Sequence, residues 1–186
     1  MSVDLVELDL SEVVPEMTMG RLLEVFPGAQ RALFRGYHIG GCSSCGFAAD
    51  ETLADVCSRK DGVDVGEVID FLKRSAEADR QMEVGTKEAQ ILVAEGKAVL
   101  VDIRTREEFD AVNIPGSTLF SQELMGKLPA WDASVLIIFV DHEGKRSPDA
   151  AAYFAGHGMS NVRCLRGGID AWSCEVDASL PRYRLG

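Results

Sequence analysis

Two patterns of apolar and polar positions divide this chain. In the first, Val65, Val68, Ile69 and Leu72 fall at i, i+3, i+4 and i+7 and line one face of a helix. In the second, apolar residues run without a break, as in Ala98-Val99-Leu100-Val101 and Val135-Leu136-Ile137-Ile138-Phe139-Val140. Such runs suit strands buried on both faces of a parallel sheet. The helical pattern occupies residues 1–75, and strand–helix alternation fills residues 85–186. Residues 76–84 join the two as a helix tail or linker.

Start and stop signals place the elements. Residues 1–16 alternate acidic and apolar groups, as an edge strand or a loosely held arm. Thr18 is an N-cap for a helix through Phe26, and Pro27 opens a second helix to about Arg35, before Gly36. Asp50 or Thr52 starts a third, to about Lys60. Asp64 with Glu67 forms a capping box for a fourth, Val65 to about Arg74. In the second half Thr86 caps a helix to Glu95, which Gly96 ends, and Thr105 with Glu108 forms another capping box. The fold class is therefore α/β: a small helical bundle, then a mainly parallel sheet with helices on both faces.

The run Val135 to Val140 leads into Asp141-His142-Glu143-Gly144-Lys145-Arg146-Ser147, which a Pro148-led helix follows to Gly156. This loop joins the carboxyl end of a strand to the N-terminus of a helix. Backbone N–H groups there are unpaired and the helix dipole is positive, so the loop is a cradle for an anion. The residue that opens it, Asp141, is aimed into that cradle.

Charge narrows the partners. Thirty acidic residues against nineteen basic ones give a net charge of −11, which repels nucleic acid and anionic membrane. No basic, apolar leader opens the sequence and no apolar run reaches membrane-spanning length, so the expected location is cytoplasmic. In that reducing setting the five cysteines, Cys42, Cys45, Cys57, Cys164 and Cys174, read as thiols, ligands or redox groups.

The loop Asp141 to Ser147 with its Gly144 and Arg146-Ser147, the later Asn161-Val162-Arg163-Cys164-Leu165-Arg166-Gly167-Gly168-Ile169-Asp170-Ala171-Trp172, and the earlier Leu100-Val101-Asp102-Ile103-Arg104, Glu107-Glu108-Phe109 and Asn113-Ile114-Pro115-Gly116-Ser117 together resemble a rhodanese (sulfurtransferase) domain. The resemblance implies that the loop should open with the cysteine that carries a persulfide. Here that residue is Asp141. The first half, through Met19 to Pro27, Gly40-Gly41-Cys42-Ser43-Ser44-Cys45-Gly46, Glu51-Thr52-Leu53 and the helix after Asp64, is similar to a C-x-x-C disulfide module associated with hybrid-cluster proteins. That second likeness implies a setting more than a reaction.

Only a thiolate takes up a sulfane sulfur and hands it on, so Asp141 leaves three readings. The loop is a non-catalytic binding element; or Asp141 is a nucleophile forming an acyl phosphate, for which Glu143 alone is a poor metal partner; or Cys164 supplies the sulfur, although it shares a strand face with Val162. In the first reading Lys145 and Arg146 compensate charge. Cys42 and Cys45 are the redox candidates, because this spacing on a Gly-rich turn brings two sulfurs within disulfide range. They are equally open to being idle thiols.

No cofactor is expected. The alternative is a metal held by His38, Cys42, Cys45 and Cys57, or a zinc or iron–sulfur cluster at Cys42 and Cys45 shared between subunits. Cys57, on an apolar helix stripe with Leu53 and Val56, reads as core. His142 and His157 read as solvated polar groups, and Cys174 has no evident partner. The expected function is thiol redox or sulfur handling linked to iron–sulfur or sulfur metabolism, with a protein partner or a small thiol or sulfur compound. A purely structural interaction protein is the alternative, and a sulfurtransferase using another cysteine the third.

Overall fold

The structure, a computed structural model, describes residues 12–40 and 46–183. It divides into two compact units that meet in sequence at Arg80 and Gln81.

The first unit contains α1 (Met19–Val25), α2 (Ala29–Tyr37), α3 (Leu53–Ser58) and α4 (Val65–Gln81). Thr18 caps α1, taking the Arg21 N–H on its hydroxyl at 3.3 Å. Thr52 and Asp55 close a reciprocal capping box on α3, which settles the start left open between Asp50 and Thr52. Asp64 accepts the Glu67 N–H at 3.0 Å. The Val68, Ile69 and Leu72 stripe is buried as expected, joined by Met19, Leu22, Leu33, Leu53 and Cys57.

Two sequence signals meant something else. Gly36 does not end α2, because it lies inside the helix where a Cβ would fall 2.7 Å from the Phe71 ring; it is there for close packing. The turn comes at His38, in the left-handed region at φ 55°, and Lys60 donates to the carbonyls of Tyr37 and His38 at this helix end. Residues 76–81 continue α4, since Ser75 and Ala76 face the core.

The second unit contains β1 (Glu83–Val84), α5 (Thr86–Ala94), β2 (Ala98–Asp102), α6 (Arg106–Ala111), β3 (Thr118–Leu119), α7 (Gln122–Lys127), β4 (Leu136–Val140), α8 (Ser147–Gly156), β5 (Val162–Leu165) and α9 (Gly168–Glu175). The strands form one parallel sheet in the order β1-β5-β4-β2-β3. Period-two alternation sends Leu100, Ile138, Val140 and Leu165 to one face with Ala89, Ile169 and Trp172 of α5 and α9. It sends Val101, Ile137, Phe139, Val162 and Cys164 to the other, with Ala151 and Phe154 of α8. Helices therefore cover both faces. Thr86 does not cap α5: it is the first helical residue after Gly85, and its hydroxyl is given to Glu175.

All five strands point the same way, so the ends of β2, β4 and β5 share one edge of the sheet. Ligands of open parallel sheets are held at this edge.

Candidate functional site

Asp102 pairs in register with Val140, so the segments leaving β2 and β4 start side by side. The segment after β4 is the 141–147 loop, and Asp141 is folded into it rather than out of it. Its side chain accepts the Gly144 N–H at 2.8 Å and the Ser147 hydroxyl at 2.9 Å on Oδ1, and the Arg146 N–H at 2.7 Å on Oδ2. Asp141 is 2% exposed and Ser147 wholly buried. The donors that open α8 are thus occupied by a carboxylate of the same chain, a built-in anion in the cradle.

A second set of bonds holds the loop from beneath. The N–H groups of Ile169 and Asp170, at the start of α9, donate to the carbonyls of Asp141 and His142 at 2.9 and 3.0 Å. The approach requires glycine. A Cβ on Gly168, at φ 59°, would lie 2.4 Å from the Asp141 carbonyl oxygen, and one on Gly144, at φ 78°, would lie 2.6 Å from the Gly167 nitrogen.

The loop's other side chains depart from expectation. Lys145 pairs with Glu143 at 2.6 Å in solvent, and Arg146 serves Asp141 through its backbone. Among the described residues, the charge at Asp141 is therefore answered by N–H and O–H groups and not by side-chain cations. His142 is not solvated: it is 7% exposed. Its ring stacks on Tyr183 at 4.1 Å between centroids, with Nε2 3.1 Å from the Tyr183 carbonyl oxygen. His157 is exposed and lies against Tyr153.

Beside the loop, β2 ends in a buried ion pair. Asp102 is fully buried, and Arg104 meets it through Nε and Nη2, the latter at 2.7 Å. The remaining guanidinium donors go to the Val112 carbonyl and the Tyr183 hydroxyl, at 2.7 and 2.8 Å. The Tyr183 hydroxyl in turn donates to the Glu108 carboxylate at 2.9 Å. Burial works to lower the Arg104 pKa, but the hydrogen bonds to Asp102 and Tyr183 prevail and hold it above the ordinary arginine value. Burial also works to raise Glu108, which the Thr105 and Tyr183 donors overcome, leaving it below the usual carboxylate range.

Neither role is legible in local sequence. Asp102 and Arg104 flank Ile103 where an apolar run ends, a hint that charge is being buried; Tyr183 carries no comparable signal. Cys164 has core surroundings at 1% exposure, its thiol 3.6 Å from the Met82 carbonyl oxygen. Cys57 is buried, and burial first, then the Asp64 charge, pushes its thiol pKa up. Cys174 is exposed. His38 is exposed and meets Phe34 edge-on. Cys42 and Cys45 lie outside the described residues. Among the described residues no cluster of three or more His, Cys, Asp or Glu is placed to hold a metal ion, and no helix is long and apolar enough to cross a membrane.

A family model described as Rhodanese-like domain matches residues 86–175, from α5 through α9. The chain is similar to Thiosulfate sulfurtransferase GlpE of Pseudomonas entomophila (strain L48), 36% identical over 90 residues that cover 48% of this chain and 82% of that protein. The protein of the same name from Pseudomonas savastanoi pv. phaseolicola is 34% identical over 87 residues, covering 46% and 81%. A crystal structure of a thiosulfate sulfurtransferase from Pseudomonas aeruginosa matches at 26% identity and TM-score 0.48, over 58% of this chain and 22% of that one.

Proposed function

This chain belongs to the rhodanese-like family, and from that premise we propose that it handles sulfur or thiols while its own rhodanese-like loop carries no sulfur. Asp141 stands where the family's persulfide cysteine would stand. The observation that supports this is the triple hydrogen bonding of the buried Asp141 carboxylate by Gly144, Arg146 and Ser147. Those donors would otherwise lower a thiol's pKa and stabilise a persulfide anion. A carboxylate uses them up and offers no sulfur atom to form a sulfur–sulfur bond.

The chemistry then falls to Cys42 and Cys45, and the rhodanese-like unit becomes a binding platform for a protein partner or a small thiol or sulfur compound. In the reaction we assign to the pair, one thiolate attacks a disulfide of the partner, forming a mixed disulfide and releasing one partner thiolate; the second thiolate attacks that mixed disulfide and releases the other, so the partner gains two electrons and Cys42 and Cys45 become a disulfide. The setting we favour is the cytoplasm and iron–sulfur or sulfur metabolism. A zinc ion or iron–sulfur cluster at the pair would draw its remaining ligands from elsewhere, since Cys57 is 2% exposed in the core of the first unit.

Alkylation in graded redox buffers, read peptide by peptide, tests the assignment. Cys42 and Cys45 are expected to oxidise together, with a midpoint within the cytosolic thiol range of about −220 to −320 mV. Cys57 and Cys164 are expected to resist alkylation in the folded protein, because both are buried. If Cys42 and Cys45 stay reduced under mild oxidant and the purified protein holds no metal, the redox assignment fails and a purely structural interaction protein takes its place.

A further inference from the structure

The segment after α9 returns to the loop and is stitched down along its way. Leu180 N–H bonds back to Asp177, and its carbonyl accepts the Ser173 hydroxyl at 2.6 Å. Arg182 meets Asp170 through two donors, each at 2.7 Å. Leu180 and Tyr183 rest against the apolar cluster of Ile138, Val140 and Trp172. Tyr183 then engages three elements at once: its ring stacks on His142, its carbonyl faces His142 Nε2, and its hydroxyl joins Arg104 to Glu108.

We propose that residues 177–183 form a strap over the 141–147 loop, in which Tyr183 is a positioning residue that holds His142 down, and that lifting the strap exposes the outer face of the loop. The three sets of restraints on the loop are separable. Asp141 holds it from inside, and the Ile169 and Asp170 N–H groups hold its carbonyls; no strap atom takes part in either set of bonds, although Arg182 meets the Asp170 side chain. Only the outer face, at His142, depends on Tyr183. Of the strap's anchors, the Arg182 side chain is half in solvent and contributes little, so Tyr183, with its stack on His142 and its hydroxyl between Arg104 and Glu108, decides whether the strap stays down. The device does not depend on the chemistry proposed for Cys42 and Cys45.

The three histidines provide the test, because His38 and His157 are exposed and serve as references for the covered His142. Diethylpyrocarbonate modification, mapped by mass spectrometry on the full chain, is expected to reach His142 at least about tenfold more slowly than the other two. Tyr183→Ala should bring its rate within about threefold of theirs, while Tyr183→Phe, which keeps the stack and loses the hydroxyl, should fall between. Hydrogen exchange at the Gly144 and Arg146 amides should stay unchanged in both variants, since Asp141 and not the strap protects them. Arg182→Ala, which leaves Tyr183 in place, should raise His142 reactivity less than Tyr183→Ala and serves if the latter does not fold. The proposal is overturned if His142 reacts as fast as His38 in the unmodified protein. It is equally overturned if every folded variant keeps His142 protected, or if its exposure comes only with loss of the Gly144 and Arg146 protection.

Discussion

Arg104→Ala is expected to lower the unfolding free energy of the second unit by about 3–5 kcal/mol, the usual cost of removing one partner from a buried ion pair. Domains are stable by only about 5–15 kcal/mol, so this loss removes a large fraction of the unit's stability. The cost comes mainly from what is left behind. Asp102, fully buried, would retain the Arg104 backbone N–H and lose the guanidinium donors that answer its charge. The Val112 carbonyl and the Tyr183 hydroxyl lose a donor as well. Arg104→Lys should recover only part of the loss, because an ammonium cannot fork between Asp102, Val112 and Tyr183. Replacing Asp102 and Arg104 together with leucines should cost less than Arg104→Ala alone, since no orphan charge remains. Both tryptophans, Trp131 and Trp172, lie in the second unit, so urea unfolding followed by tryptophan fluorescence reports that unit alone. A cost for Arg104→Ala below about 1 kcal/mol would show that the pair is solvated.

Asp141→Cys is expected to give the 141–147 loop the ability to take up sulfur. The Gly144 and Arg146 N–H groups and the Ser147 hydroxyl already converge on the side chain at this position, within 2.7 to 2.9 Å of the carboxylate oxygens. Cysteine places one sulfur where aspartate places two oxygens, and the same donors then favour its thiolate. Thiosulfate-dependent transfer of sulfur to cyanide should rise at least about tenfold above the unmodified protein, through a persulfide at residue 141. Stability should fall, because charge-assisted bonds contribute about 1.5–3 kcal/mol each and the thiol replaces them incompletely. An Asp141→Cys protein that folds, as judged by its fluorescence transition, yet never carries sulfur at residue 141 would show that the loop is not a sulfur cradle.

The parts of this fold that were readable from residues alone are those set by local rules. Apolar runs with no polar interruption place β2 at Ala98–Asp102 and β4 at Leu136–Val140, and the Thr105 and Glu108 pair opens α6 with both halves of its capping box made. Helix ends were less legible where a residue's small size served packing. Gly36 looks like a terminator and is a contact surface for Phe71. Thr86 looks like a cap, and its hydroxyl is committed to Glu175, far along the chain. The position of Asp141 at the mouth of a strand-to-helix loop was legible, because strand, loop and helix are contiguous in sequence. What surrounds it was not. His142 looks like any loop histidine until Tyr183, 41 residues further on, folds back to cover it, and nothing near Tyr183 marks it for that task. The Asp102 and Arg104 pair shows only as two charges beside an apolar run, and the network they form with Glu108 and Tyr183 exists only after the sheet has closed.

The most direct test of the account is to incubate the unmodified protein with thiosulfate and map any added sulfur by peptide mass spectrometry, with cyanide as the acceptor for turnover. No added sulfur is expected on any peptide from residues 86–175, Cys164 included, and turnover should be no higher than that of Asp141→Ala. Sustained turnover with a persulfide mapped to Cys164, abolished by Cys164→Ser, would contradict this expectation.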